Sequence, residues 1–210
     1  MTSSPESFST SGADGVRIVA DRLGDPAAPA VMFLHGGGQT RRSWARAAAA
    51  VAKRGWQAVT VDFRGHGESD WSEDGDYRVT TFVGDVMGVL RQLPPRPVLV
   101  GASLGGFTSM LLAGELAPGT VRAVVLADAV AAYNPHRPRP SDLDGLRSNL
   151  RERSGRWYWH WDPKFIDGRS VFPPIEVTEV DRMHAAVAAI LRDRVPMLLV
   201  RGQMSDLVTE

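Results

Sequence analysis

The chain has 210 residues, enough for one domain with a sizeable core. Lys and Arg number 24 against 24 Asp and Glu, and this balance argues against a nucleic-acid or anionic-membrane binder, which needs a basic excess. Cysteine is absent, which removes disulfide scaffolds, thiolate zinc sites, iron–sulfur clusters and cysteine nucleophiles.

In chain order, Phe8–Thr10 and Val16–Leu23 predict an antiparallel hairpin. Apolar runs follow at Val31–Leu34, Ala58–Val61, Val98–Val100 and Val121–Leu126, with a fifth at Val195–Val200. Each is rich in β-branched residues and bounded by Pro, Gly or charge, as suits strands buried on both faces of a parallel sheet. Helical spacing fills the gaps. Ser43 is placed to cap a helix bearing Trp44, Ala47, Ala48 and Val51, and Thr80 or Thr81 to cap one bearing Phe82, Val86, Val89 and Leu90. A third carries Phe107, Met110, Leu111 and Gly114. Strands alternating with helices predict an α/β fold, a mostly parallel sheet flanked by helices.

The rhythm stops after Asp128. Residues 129–178 show no parallel strand but hold Tyr133, Trp157, Tyr158, Trp159, Trp161, Phe165 and Phe172. A disordered linker would be poor in aromatics, so a folded insertion is expected there. The chain then divides into a core of residues 1–128 and 179–210 and an inserted cap at 129–178.

Three segments carry chemistry. Gly101-Ala102-Ser103-Leu104-Gly105 fits G-x-S-x-G between an apolar strand and a helix. A turn that tight forces the serine backbone into strain, needs small neighbours, and lifts Oγ above the sheet edge beside a helix N-terminus. His35-Gly36-Gly37-Gly38 follows the strand Val31–Leu34, and its glycines allow N–H groups to approach a developing oxyanion. Neither dinucleotide nor P-loop glycine patterns occur, which argues against a nucleotide-binding domain. Asp62–Asp70 follows the next strand and reads as a structural loop, with Asp62 and Arg64 available for local hydrogen bonds.

Together these segments resemble the α/β-hydrolase family, over roughly Val16 to Asp206 and in the family's order. The resemblance implies a serine nucleophile at Ser103 and an oxyanion hole from the N–H groups of Gly37 and Leu104, with Gly38 as the alternate. It implies a helical cap at 129–178 and an acid at Asp206, with Asp128 as the weaker choice. The family's histidine follows the acid, yet the sequence stops at Glu210, so the last strand, the last helix and the catalytic His are expected to be missing by truncation. His35 and His66 belong to loops, His136 and His160 to the insertion, and His184 to a helical face where a packed or half-buried histidine is expected.

The function so implied is a serine hydrolase of ester or similar acyl compounds: esterase, carbon–carbon bond hydrolase or perhydrolase. The alternative is a non-catalytic binding protein of the same fold. Trp157, Trp159 and Trp161 alternate and are expected to shape an apolar substrate pocket. No metal or other cofactor is expected, nor a nucleic-acid or membrane partner. With no run near the ~18 apolar residues of a membrane span and no signal-like start, a cytoplasmic protein is expected. The last strand, left as an open edge, is expected to favour self-association.

Overall fold

The structure, a computed structural model, describes residues 4–127, 149–165 and 177–200. Asp128, His136 and Asp206 lie outside the described residues.

Seven strands form one sheet in the order β1-β2-β4-β3-β5-β6-β9. β1 (Glu6–Ser11) and β2 (Arg17–Leu23) make the antiparallel hairpin expected from the sequence, and β2 runs antiparallel to β4 (Gln57–Val61). From β4 onward, through β3 (Ala30–Leu34), β5 (Val98–Ala102), β6 (Ala123–Ala127) and β9 (Met197–Val200), every pairing is parallel. All five residues of β3 and of β4 are buried, Gln57 and Thr60 of β4 included, and the rest read as nearly continuous apolar runs. A separate hairpin, β7 (Leu150–Arg153) and β8 (Arg156–Trp159), belongs to the segment predicted as a cap. The described part of that segment, expected to be helical, is this β-hairpin and a 3₁₀ turn at Pro163–Phe165, and its last two residues already open the helix Val177–Arg192.

Helices cover both faces of the sheet. Val31 and Phe33 pack with Ala48 of α1 (Ala45–Ala52), while Met32 and Leu34 join α2 (Val79–Leu90), α3 (Leu104–Leu111) and α4 (Val177–Arg192) in the larger core. The two-residue period of β3 thus feeds two cores at once. Among the described residues no helix is long and apolar enough to cross a membrane.

Two helix starts differ from the sequence expectation. Ser43 lies inside a 3₁₀ turn, Arg41–Trp44, and α1 begins after it without a side-chain cap. The buried carboxylate of Asp62 accepts the Arg41 N–H at 2.7 Å and anchors the chain ahead of that turn. α2 begins at Val79, ahead of Thr80 and Thr81. Asp76 does the capping instead: its carboxylate accepts the Arg78 N–H at 3.1 Å and the Thr81 hydroxyl at 2.9 Å. The Arg78 side chain holds that carboxyl below the usual range, against the opposing effect of burial.

Buried ion pairs tie the loops to the sheet. Arg41 meets Asp21 at 2.8 Å and Glu68 at 3.1 Å and pairs with Asp62. Arg64 binds Asp85 through two bonds of 2.6 and 2.7 Å, both side chains 1% exposed. Burial opposes the charge on Arg64, but Asp85 outweighs it and raises the arginine pKa. Removing one partner strands the other in the core. Arg64→Met is expected to cost about 3–5 kcal/mol in urea unfolding, and adding Asp85→Leu to recover most of it.

Candidate active site

Ser103 joins β5 to α3 with φ 47° and ψ −113°, a conformation that side chains with a Cβ rarely adopt. The cause is backbone crowding. A Cβ on Gly101 would stand 2.2 Å from the Gly105 carbonyl oxygen, and one on Gly105 2.3 Å from the Leu34 carbonyl oxygen. Only glycine at both positions lets the first turn of α3 rest on β5 and β3, and the chain must reverse sharply at Ser103 to do so. Ser103 is exposed between buried Ala102 and Leu104.

The loop after β3 lies alongside. A Cβ on Gly36 would come within 3.5 Å of Ser103 Cβ. Gly38 is committed elsewhere, because its N–H donates to His66 Nε2 at 3.1 Å. Leu104 opens α3, where a first-turn N–H has no intrahelical acceptor. Among the described residues neither the Gly37 nor the Leu104 N–H donates a hydrogen bond. Two donors, one next to Ser103 in the chain and one in the adjoining loop, thus stand unused.

His35 and His66 are posts rather than bases. His66 donates from Nδ1 to the Arg64 carbonyl at 3.0 Å, since its Nε2 accepts from Gly38. His35 Nε2 accepts the Phe63 N–H at 3.1 Å, and its Nδ1 contacts the Gly36 carbonyl at 2.8 Å. Both rings are fully buried. Burial pushes His35 down to about 4; burial, then the neighbouring His35, pushes His66 down to about 3.

The hairpin segment is docked onto these loops. The Gly67 N–H donates to the His160 carbonyl at 2.8 Å, the Asp162 N–H to the Gly65 carbonyl at 2.7 Å, and the Tyr77 hydroxyl to the Asp162 carboxylate. Phe165 then stands edge-on to His66 at 4.6 Å, and a Cβ on Gly37 would meet it at 3.2 Å. Trp161 packs 6.2 Å from both Trp159 and Phe165, its Nε1 3.9 Å from the place a Gly38 Cβ would take. Trp159 and Trp161 line a cavity of about 470 Å³, and Trp157 is not part of its wall.

A profile of the alpha/beta hydrolase fold matches residues 29–159. The chain belongs to that family. An esterase of Mycobacterium tuberculosis is 31% identical over 87% of this chain and 69% of its own length. An sn-1-specific diacylglycerol lipase of Mus musculus is 43% identical over 50% of this chain, but this chain spans only 34% of it. A crystal structure of an alpha/beta hydrolase from Novosphingobium aromaticivorans superposes on the whole chain and 85% of its own, with a TM-score of 0.80 at 23% identity, a likeness of fold.

Within this alpha/beta hydrolase, Leu104 follows Ser103 directly and Gly37 follows Gly36, on which a Cβ would lie 3.5 Å from Ser103 Cβ, while Asp206 and Asp128 lie outside the described residues. His184 differs from expectation: it is exposed. α4 turns Ala186 and Ala189 inward, since a Cβ on Gly114 would lie 2.1 Å from the Ala186 carbonyl oxygen, and two residues along a helix is 200° round. No sequence motif marks Phe165 or the clamp of His66 on Gly38 as part of the site; a bulky aromatic after Asp162-Pro163 is the available signal.

The depressed histidines make stability pH-dependent. Below the ordinary 6.5 the unfolded chain takes up protons that the folded hydrolase refuses, so stability falls from pH 6.5 down to about 4 for His35 and about 3 for His66, and neither contributes a slope above 6.5. His66→Gln is expected to be less stable at pH 7.5. Its loss of unfolding free energy between pH 7.5 and 5.0 should be about 2 kcal/mol smaller than that of the unaltered protein.

Proposed function

We propose that this protein is a serine hydrolase acting on esters or similar acyl compounds. Ser103 Oγ attacks the carbonyl carbon as its proton leaves to a base. The carbonyl electron pair moves onto oxygen, which the N–H groups of Gly37 and Leu104 receive. Collapse of that intermediate expels the alcohol as the base returns the proton to the leaving oxygen; water, giving its proton to the same base, then attacks the acyl-serine, and the acid leaves as Ser103 Oγ is reprotonated. The observation that carries this reading is the strained, exposed Ser103 beside two N–H donors that hold no other bond. A strained serine turn costs of order 1–3 kcal/mol, which a non-catalytic binding protein has no physical reason to keep.

The esterase among the relatives supports acyl chemistry, and a serine rather than a carboxylate at the turn suits it. Asp206 is the proposed acid that orients the base. His35 and His66 are excluded as that base, because both of their nitrogens are engaged. Trp159 and Trp161 supply the proposed apolar pocket, while Trp157, expected there with them, is exposed and outside its wall. A cysteine-free composition suits a cytoplasmic setting.

Hydrolysis of 4-nitrophenyl butyrate provides the test. Ser103→Ala is expected to bring turnover down to the uncatalysed rate, with the unfolding midpoint held or raised by relief of strain. Turnover that survives the substitution would overturn the assignment.

A further inference from the structure

The β7–β8 hairpin has two unlike faces. Arg151 pairs across with Tyr158 and Arg153 with Arg156, whereas Leu150 pairs with Trp159 and Glu152 with Trp157. Directly opposed residues share a face, so one side is cationic and the other mainly apolar. Like charges set opposite one another weaken a strand pair, so the Arg153–Arg156 pairing does not serve folding.

The 470 Å³ cavity opens at this hairpin, walled by Trp71, Tyr158, Trp159 and Trp161 with Arg151 and Arg153. No Asp or Glu lines it; Glu68 and Glu152 line a neighbouring polar cavity of about 300 Å³ instead. Arg151 is held by the Gly67 carbonyl at 2.9 Å. Arg153 has no carboxylate partner among the described residues. The indole N–H of Trp161 is buried without an acceptor, on the side of Gly38. Aromatic walls and an unengaged guanidinium fork, in a space of small-molecule size, complement a flat apolar group that ends in a carboxylate.

We infer that this cavity receives an aromatic carboxylate portion of the substrate, so that the enzyme prefers esters bearing a negative charge remote from the scissile bond. The inference rests on Ser103 being the nucleophile only in linking the cavity to catalysis; Trp161, packed on the Gly37–Gly38 loop through itself and Phe165, makes that link.

Calorimetric titration with 2-naphthoate and with neutral 2-naphthalenemethanol separates the two ideas. The acid should bind at least about tenfold more tightly than the alcohol, equally to the unaltered protein and to Ser103→Ala, and salt should weaken the acid alone. Arg153→Gln, at an exposed position, should abolish most of the preference, and Arg153→Lys should retain part of it. 2-Naphthoate should also inhibit ester hydrolysis competitively. Equal affinity for acid and alcohol, a preference untouched by Arg153→Gln, or binding without competition would overturn the inference. A retained preference in a protein without ester turnover would uphold the anion site while removing the hydrolase reading.

Discussion

The contact of backbone on backbone where α3 meets β5 and β3 governs the site. With Gly105 against the Leu34 carbonyl and Gly101 against Gly105, no side chain fits between helix and sheet. The chain can leave β5 and enter α3 only by placing one residue at φ 47°, and that residue is Ser103. Strain, exposure and nearness to a helix N-terminus follow from one steric fact. The same contact leaves Leu104 as the first residue of the helix and the loop after β3 next to the serine.

Such a turn needs a rigid surround, and buried polar groups provide it. His66 holds Gly38 by its N–H and so leaves Gly37 as the loop's unused donor. Arg41 and Arg64, each bound to buried carboxylates, secure the loops after β3 and β4. The hairpin segment is added through backbone bonds to Gly65 and Gly67 and through Tyr77 and Asp162, which brings Phe165 and Trp161 over the glycine loop. His66, Arg41, Arg64, Tyr77 and Asp162 are buried, so losing the partner of any of them leaves a polar group unsatisfied, and the surround behaves as one unit.

The sheet was readable in the sequence because β3 and β4 are buried along their whole length and β5 and β6 at least in part, so each shows as a nearly continuous apolar run; β9 reads the same way, yet Leu198, Leu199 and Val200 are exposed at the sheet edge. Ser103 was readable because a small-residue turn between a strand and a helix has few other uses. Long-range polar pairings were not: Arg64 and Asp85 stand 21 residues apart, and no local spacing joins them. Asp76 displaced the threonines as a cap because its two oxygens serve a backbone N–H and a hydroxyl at once. The side of α4 that faces inward was set by the Gly114–Ala186 contact between helices, so His184 turned outward against its apolar neighbours. The hairpin carried a signal that the alternating tryptophans only half expressed. Ser154 and Gly155, with φ of 52° and 74°, form the two-residue turn that reverses β7 into β8.

The central claim is that close glycine packing makes Ser103 reactive, and the rate of its phosphonylation tests that most directly. Mass-spectrometric mapping after treatment with a fluorophosphonate should find the adduct on Ser103. Gly106→Ala should label as fast as the unaltered protein, because a Cβ there makes an ordinary 3.5 Å contact. Folded Gly105→Ala should label at least about a hundredfold more slowly, as befits misplacement of a reacting group by roughly an ångström. An adduct on another residue, or Gly105→Ala reacting at the unaltered rate, would contradict the account.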